Sequence, residues 1–298
     1  MARLALKRKE SLSTGIPRLF EEQLGRAVDG FRGNDADLEE AVHRTRATCK
    51  ELRAALRLVR PAIGPHAYRA ANGFYRDAAR QLSDLRDAHV QLAILDTVEA
   101  DLEEAARFPR IRAILEERVR NEEEAVADKS AVISELVEAF DGARANASVL
   151  AVPNKFSSIR AGLARTYARG RAGLRACVKD PSLENAHEWR KRVKYLRYQL
   201  GILRPLWPAM MKCLQGELKL LSEWLGDARD MALLERLATE DSEYTAAGAE
   251  AERLVAELAR RRTVLLKQSL PLGRRLYAEP ADDFVDRVET WWRTRKGK

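Results

Sequence analysis

His43, Arg46, Lys50 and Arg53 stand three, four and three residues apart in HRTRATCKELR at 43–53, and His187, Arg190, Lys194 and Arg197 repeat those types and intervals in HEWRKRVKYLR at 187–197. At about 100° per residue, positions i, i+3, i+7 and i+10 share one face of an α-helix. Each set is therefore a cationic stripe, and Arg57 extends the first by another turn. A guanidinium grips phosphate oxygens as a bidentate fork, and an ammonium adds a point charge. The chemistry within reach is the capture of an anion with phosphates spaced along a line. From His43 to Arg60 such a stripe runs about 25 Å at 1.5 Å per residue. Either histidine can donate to a phosphate oxygen, and a nearby polyanion favours its protonated form; the competing reading is a structural histidine bonded to a carbonyl or carboxylate.

A single basic helix face is most often a solvated surface with ion pairs to its neighbours, because like charges three and four residues apart repel. The repetition argues otherwise. His43, Arg46, Lys50, Leu52, Arg53, Leu56, Arg60 and Pro61 recur as His187, Arg190, Lys194, Leu196, Arg197, Leu200, Arg204 and Pro205, eight identities within nineteen positions at a constant offset of 144. Past the proline the offset becomes 143: Arg69 matches Lys212, Arg76 matches Lys219, and LSDLRD at 82–87 matches LGDARD at 225–230. The chain reads as two homologous halves, 15–140 and 159–295, joined by a linker at 141–158 where small residues and Pro153 interrupt the helical period. Two copies of the stripe facing each other across a pseudo-twofold axis would line one basic groove, with Arg69, Arg76, Lys212 and Lys219 as further walls. A linear array of this kind suits a linear polyphosphate.

The elements that must position these residues are helices. Alanine, leucine, arginine and glutamate dominate, β-branched runs are scarce, and 46% of the residues are hydrophobic, as in a folded chain. With proline and glycine as punctuation, the first half predicts helices near 17–31, 36–59, 66–104 (broken near 85–87) and 110–140. The second predicts 156–178, 183–203, 208–224, 228–240, 247–278 with a kink at Pro271, and 282–295. The expected fold class is all-α, with two internally duplicated antiparallel helical bundles of about four helices each around a basic central cavity. Leu52, Leu56 and Val59, like Leu196, Leu200 and Leu203, form the apolar edge that anchors each stripe helix.

Charge is concentrated on those helices. Lysine and arginine outnumber aspartate and glutamate by 53 to 45, a net +8, which makes a polyanion a reasonable class of partner. Residues 44–60 and 188–204 each hold six basic residues against one acid, whereas 101–124 holds eight acids and five bases. The three cysteines, Cys49, Cys177 and Cys213, have no CxxC spacing, and no run of apolar residues reaches transmembrane length. The expectation is a soluble cytoplasmic protein with no membrane partner; the sequence sets no oligomeric state.

The doubled HxxRxxxKxLR pattern, the LRD and ARD stretches at 85–87 and 228–230, and LGRRLYAEPADDFVDRVETWW at 272–292 resemble the conserved histidine α-helical domain, or CHAD, family across residues 15–295. The resemblance implies two pseudo-symmetric four-helix bundles around a basic cavity that binds inorganic polyphosphate, and, as in some members, association with polyphosphate granules. It places His43, Arg46, Lys50, Arg53, His187, Arg190, Lys194 and Arg197 at the anion. Arg57 departs from the internal symmetry, since Gly201 stands at the matching position. Some members carry an added triphosphatase domain with an ExExK metal motif; here Glu122 with Glu124 and Glu250 with Glu252 are followed by Val126 and Leu254, so the chain reads as a stand-alone binding domain without cofactor.

Four other readings compete with this one, the simplest being a scaffold that docks an acidic partner on its basic face, which would need no duplicated stripe. A dedicated metal site at His43 and His187 is disfavoured because Arg46 and Arg190 stand one turn away, although divalent counter-ions could accompany a bound polyanion. Catalysis would need a base beside the arginines; Asp87 and Asp230 are the acidic candidates, but each follows an arginine and reads more simply as a cap or ion pair. Not an enzyme is the expectation. Nucleic-acid binding is the principal alternative, as any phosphate chain suits a basic groove, yet Trp189, Tyr195 and Tyr198 beside the second stripe correspond to Thr45, Glu51 and Ala54 beside the first. Those rings, and the Trp291–Trp292 pair, read as packing.

Overall fold

The computed structural model describes residues 4–33, 38–82, 87–127 and 130–295. Among them the regular structure is helical throughout: α1 (Leu12–Arg32), α2 (Leu38–Gln81), α3 (Asp87–Glu99), α4 (Pro109–Ala127), α5 (Ser130–Ala145), α6 (Ser157–Lys179), α7 (Leu183–Ile202), α8 (Pro208–Glu240), α9 (Ser242–Thr245), α10 (Ala249–Leu276) and α11 (Ala281–Thr294). Local chemistry sets several boundaries. Ser11 and Ser182 cap α1 and α7 by accepting from the amides of Thr14 and Asn185, and Pro208 occupies the first turn of α8, where an amide proton has no partner to lose. In α1, Leu12, Ile16, Leu19, Leu24 and Val28 recur at helical spacing and are all buried.

Where one helix was predicted over 110–140 the structure has α4 (Pro109–Ala127) and α5 (Ser130–Ala145), and two further helices, α2 and α8, run through predicted ends. α2 continues past 59 and bends at Gly64, whose φ of 78° is open to glycine and costly for other residues. Pro65 follows it, and a residue before proline is pushed out of the helical region, so the bend lies where the two restrictions meet. α8 runs unbroken through 225–228, where a break was expected, because Gly226 is a buried contact position: a Cβ there would strike the Arg190 guanidinium. The matching stretch at 83–86, where a break was also expected, lies outside the described residues.

Hydrophobic packing divides into two cores. The larger joins Leu4 and Leu6 to α1, α2, α5, α6, α7, the first half of α8, the end of α10, and α11. The smaller joins Ile94, Leu95 and Val98 of α3, Phe108, and Ile111 and Leu115 of α4 to Met231 and Leu234 of α8, Tyr244, and Leu254 and Leu258 of α10. Each core draws on chain from both sides of 141–158. Burial of each such leucine or isoleucine is worth about 1.5–3 kcal/mol. α2, α6 and α7 are pressed together at their centres: Gly162 of α6 lies against the Arg57 and Leu58 carbonyls of α2, and the fully buried Gln199 of α7 donates to the Ala54 carbonyl of α2 at 3.2 Å.

Candidate functional site

The stripes are held by the opposite faces of their own helices. Leu52, Leu56 and Val59 on α2, and Leu196, Leu200 and Leu203 at α7 and its end, are all buried, which turns His43, Arg46, Lys50, Arg53 and Arg57, and His187, Arg190, Lys194 and Arg197, to half-buried positions. The Gln199–Ala54 hydrogen bond fixes where the two helices meet, and there the two stripes come together. Lys50 of α2 is among the charges acting on Lys194 of α7, beside Arg190 and Arg197.

The electrostatics are those of cations crowded out of water. Burial first, and then Arg190, Lys50 and Arg197, lower the Lys194 ammonium to about 7, against the opposing pull of Asp230. Arg190 is lowered for the same first reason; its Nε donates to the Ser222 carbonyl at 3.0 Å, beneath the space that Gly226 leaves open. Burial, reinforced by Arg229, Lys191 and Arg190, lowers the His187 imidazole to about 4 against the single opposing charge of Glu188. Its Nδ1 is buried and has no hydrogen-bond partner among the described residues. At neutral pH His187 is neutral, and it would take up a proton only beside added negative charge. Glu51, the one acid of the first stripe, is pushed up to about 7 by burial, against the pull of Arg197 and Arg26.

Arg57 gathers a second group across the meeting point. Its guanidinium lies 4.1 Å from the centre of the Tyr195 ring, donates to the Arg53 carbonyl at 2.7 Å, and is lowered chiefly by burial. Arg192 shares that ring at 6.0 Å, and Arg60 lies over Tyr68 at 4.8 Å. On the other side Arg197 lies over Tyr198 at 4.8 Å. Tyr195 and Tyr198 thus each support an arginine, a role beyond the packing expected of them, and Tyr68 does the same, whereas Trp189 is fully buried in the core. Spacing alone carried no sign of this, since the rings contacted by Arg57 and Arg60 come from distant turns or another helix.

Arg69, Arg76, Lys212 and Lys219 lie at exposed positions on α2 and α8; Arg76 pairs with Asp77 at 3.0 Å and Lys219 with Glu223 at 3.0 Å, each on its own helix. Arg53 donates to Asn72 at 3.3 Å and is among the charges lowering Asp77, so the second limb of α2 folds back beside the stripe. Of the acidic pair, Asp230 sits next to the cluster and pairs with Arg229 at 3.1 Å; the side chain of Asp87 lies outside the described residues. Among the described residues no group of three or more His, Cys, Asp or Glu side chains is placed to hold a metal ion, and no helix is long and apolar enough to cross a membrane.

The comparisons with known proteins fit this architecture. The family model for the CHAD domain matches residues 20–239. Among curated proteins none matches the chain. In fold it is similar to the crystal structure of the CHAD domain from the plant Ricinus communis, with a TM-score of 0.62 and 21% identity over 98% of this chain and 95% of that one. A family match over more than half of the chain, together with the same helical fold, has one meaning: this protein belongs to the CHAD domain family.

Proposed function

We propose that this protein binds inorganic polyphosphate along the line where the α2 and α7 stripes meet, and that it makes and breaks no bond in doing so. The observation that carries the reading is Lys194, an ammonium lowered to about 7 by burial and by cations from both helices. A buried cation in such company is unfavourable until an anion lies beside it. His187, with a buried nitrogen lacking a partner, supports the same ligand, since a phosphate oxygen would accept from it and favour its charged form. On this reading the two halves, 15–140 and 159–295, are the duplicated units whose pseudo-twofold axis passes near Lys50 and Lys194. Long polymer would also bring the protein to polyphosphate granules.

A polymer without bases is favoured over nucleic acid because Tyr195, Tyr198 and Tyr68 each already carry a guanidinium on one face. The test is a competition titration at near-physiological salt, with long-chain polyphosphate, single-stranded DNA and RNA displacing a labelled polyphosphate. It is repeated with Arg46→Ala and Arg190→Ala combined, and with the exposed pair Arg110→Ala and Arg120→Ala as control. Arg118 is unsuitable as a control, because it ties Asp241 at 2.7 Å and Glu243 at 2.8 Å to α4. Polyphosphate is expected to win by at least a hundredfold, with that advantage lost in the stripe pair and changed less than threefold in the control. Equal competition by nucleic acid would make the site a general phosphate-backbone clamp.

A further inference from the structure

Past the end of α7, seven residues beyond Arg197, a cleft of about 1160 Å³ opens between residues 5–10, the turn after α7, and the end of α11. No stripe residue lines it. Five cations do: Lys7, Arg8, Lys9, Arg204 and Arg295, and none of them makes an ion pair among the described residues. The one carboxylate in the lining, Glu10, is already committed, accepting from Arg18 at 2.7 and 2.6 Å and from the Lys7 amide at 2.7 Å. Arg204 and Arg295 each keep a buried guanidinium nitrogen without a hydrogen-bond partner. Beside these charges stand Trp207, Trp291 and Trp292. Trp207 is 45% exposed and meets Trp291 edge to face at 5.2 Å and 86°, while Trp291 and Trp292 carry the guanidinium groups of Arg287 at 5.0 Å and Arg295 at 3.1 Å.

The segment that carries the lysines is fixed in place. The Leu6 amide bonds the Ile202 carbonyl at 3.1 Å, Arg18 donates to the Ala5 carbonyl at 3.1 Å, and the Leu4 and Leu6 side chains are buried. Lys9 adopts a φ of 66°, a left-handed conformation costly for a residue with a Cβ. The duplication also breaks here. Arg60 rests on Tyr68 at 4.8 Å, whereas its counterpart Arg204 lines the cleft and has one buried guanidinium nitrogen without a partner among the described residues.

We infer that this cleft is a second anion site, independent of the polyphosphate reading, that takes a nucleoside phosphate: the base stacks on Trp207 while Arg204, Arg295 and the Lys7–Lys9 turn hold the phosphates. A tryptophan face accepts any planar base, and guanidinium and ammonium groups bind phosphate oxygens. The volume exceeds the ordinary range for small-ligand sites, leaving room for a nucleotide with its phosphates. A concave cleft suits a single ligand better than a flat layer of lipid headgroups.

The experiment titrates ATP, adenosine, tripolyphosphate and phosphatidylserine vesicles into the full chain while reading tryptophan fluorescence, in an Arg46→Ala/Arg190→Ala background so that the stripe does not compete. ATP is expected to bind saturably, with adenosine and tripolyphosphate each at least tenfold weaker. Trp207→Ala should weaken ATP at least tenfold, as should Lys7→Gln, Arg8→Gln and Lys9→Gln together, three exposed changes that leave the core intact should Trp207→Ala fail to fold. Tripolyphosphate binding as tightly as ATP, ATP binding unmoved by the lysine-turn variant, or vesicle binding without ATP binding would each overturn the proposal. The polyphosphate competition at the stripe can fail or succeed without changing these outcomes.

Discussion

Arginine is used in opposite ways in two regions of this molecule. Around the smaller core, three arginines are matched to carboxylates: Arg112 to Glu99 and Asp96 at 2.5 and 2.7 Å, Arg118 to Asp241 and Glu243, and Arg261 to Glu257 and Asp101 at 2.6 and 3.1 Å. Hydrogen bonds donated by Arg260 and Arg261 lower the Glu257 carboxyl to about 2, and those that Arg112 donates to Glu99 and Asp96 raise Arg112. At the α2–α7 meeting point the shifts run the other way, with Arg57, Arg190, Arg192 and Lys194 all lowered, first by burial. The first region uses its charges to hold helices together. The second holds charges that an added anion would satisfy, and it relies on its leucines and Gln199 for cohesion.

The contrast breaks most sharply under substitution. Arg112→Ala strips the buried Glu99 of its cation and should destabilise the fold by about 3 kcal/mol, leaving polyphosphate affinity within twofold of the parent. Thermal melts with and without polymer check this, and a binding loss equal to that of Arg190→Ala would erase the distinction. Lys194→Met should do the reverse, stabilising the free protein by about 1–3 kcal/mol while weakening polymer binding tenfold or more. A destabilised Lys194→Met would mean the ammonium is already satisfied without ligand.

Titration sharpens the same point. Between pH 7 and about 10 the unfolded chain keeps the Lys194 proton and the folded chain does not, so this group makes stability rise with pH in that window. An adjacent polyanion raises the ammonium again. Binding above pH 7 should therefore take up a proton, and affinity should fall as pH rises from 7 to 9, by up to about tenfold per unit. Calorimetry in buffers of different ionisation enthalpy measures that uptake. Below pH 7 two groups oppose each other: His187, lowered to about 4, makes stability rise with pH between 4 and 6.5, and Glu51, raised to about 7, makes it fall between 4.5 and 7. The window above pH 7 is the cleaner one. The smallest effect belongs to Tyr195→Leu, which removes the ring beneath Arg57 and should weaken polymer binding by about 1 kcal/mol. Gly226→Ala, by displacing the Arg190 guanidinium, should change binding with little change in melting temperature.

The helical class and the two stripes were legible because both rest on the 3.6-residue period, which fixes Leu52 and Leu56 inside and Lys50 and Arg53 at the boundary whatever packs on them. Contacts between helices were not legible. Nothing in the spacing of Tyr195 announced that Arg57, from another helix, would rest on it, nor that Gly226 was a seat for Arg190 rather than a break. The two cores drew on both halves for the same reason, since their partners are set by tertiary packing rather than by a local period. Residues 4–10 carried no legible sign of the cleft, since Leu4, Ala5 and Leu6 are an apolar run too short to show a helical or strand period.

The unbroken course of α8 has a mechanical consequence. Its 33 residues make a rod of about 50 Å. One end is clamped in the larger core through Leu218, Leu221 and Leu225, the other in the smaller through Met231 and Leu234, and the seat of Arg190 lies between the clamps. A beam fixed at both ends resists bending at its middle. The charged row therefore sits on a stiff support, and a flexible polymer arriving there would have to straighten to fit the protein.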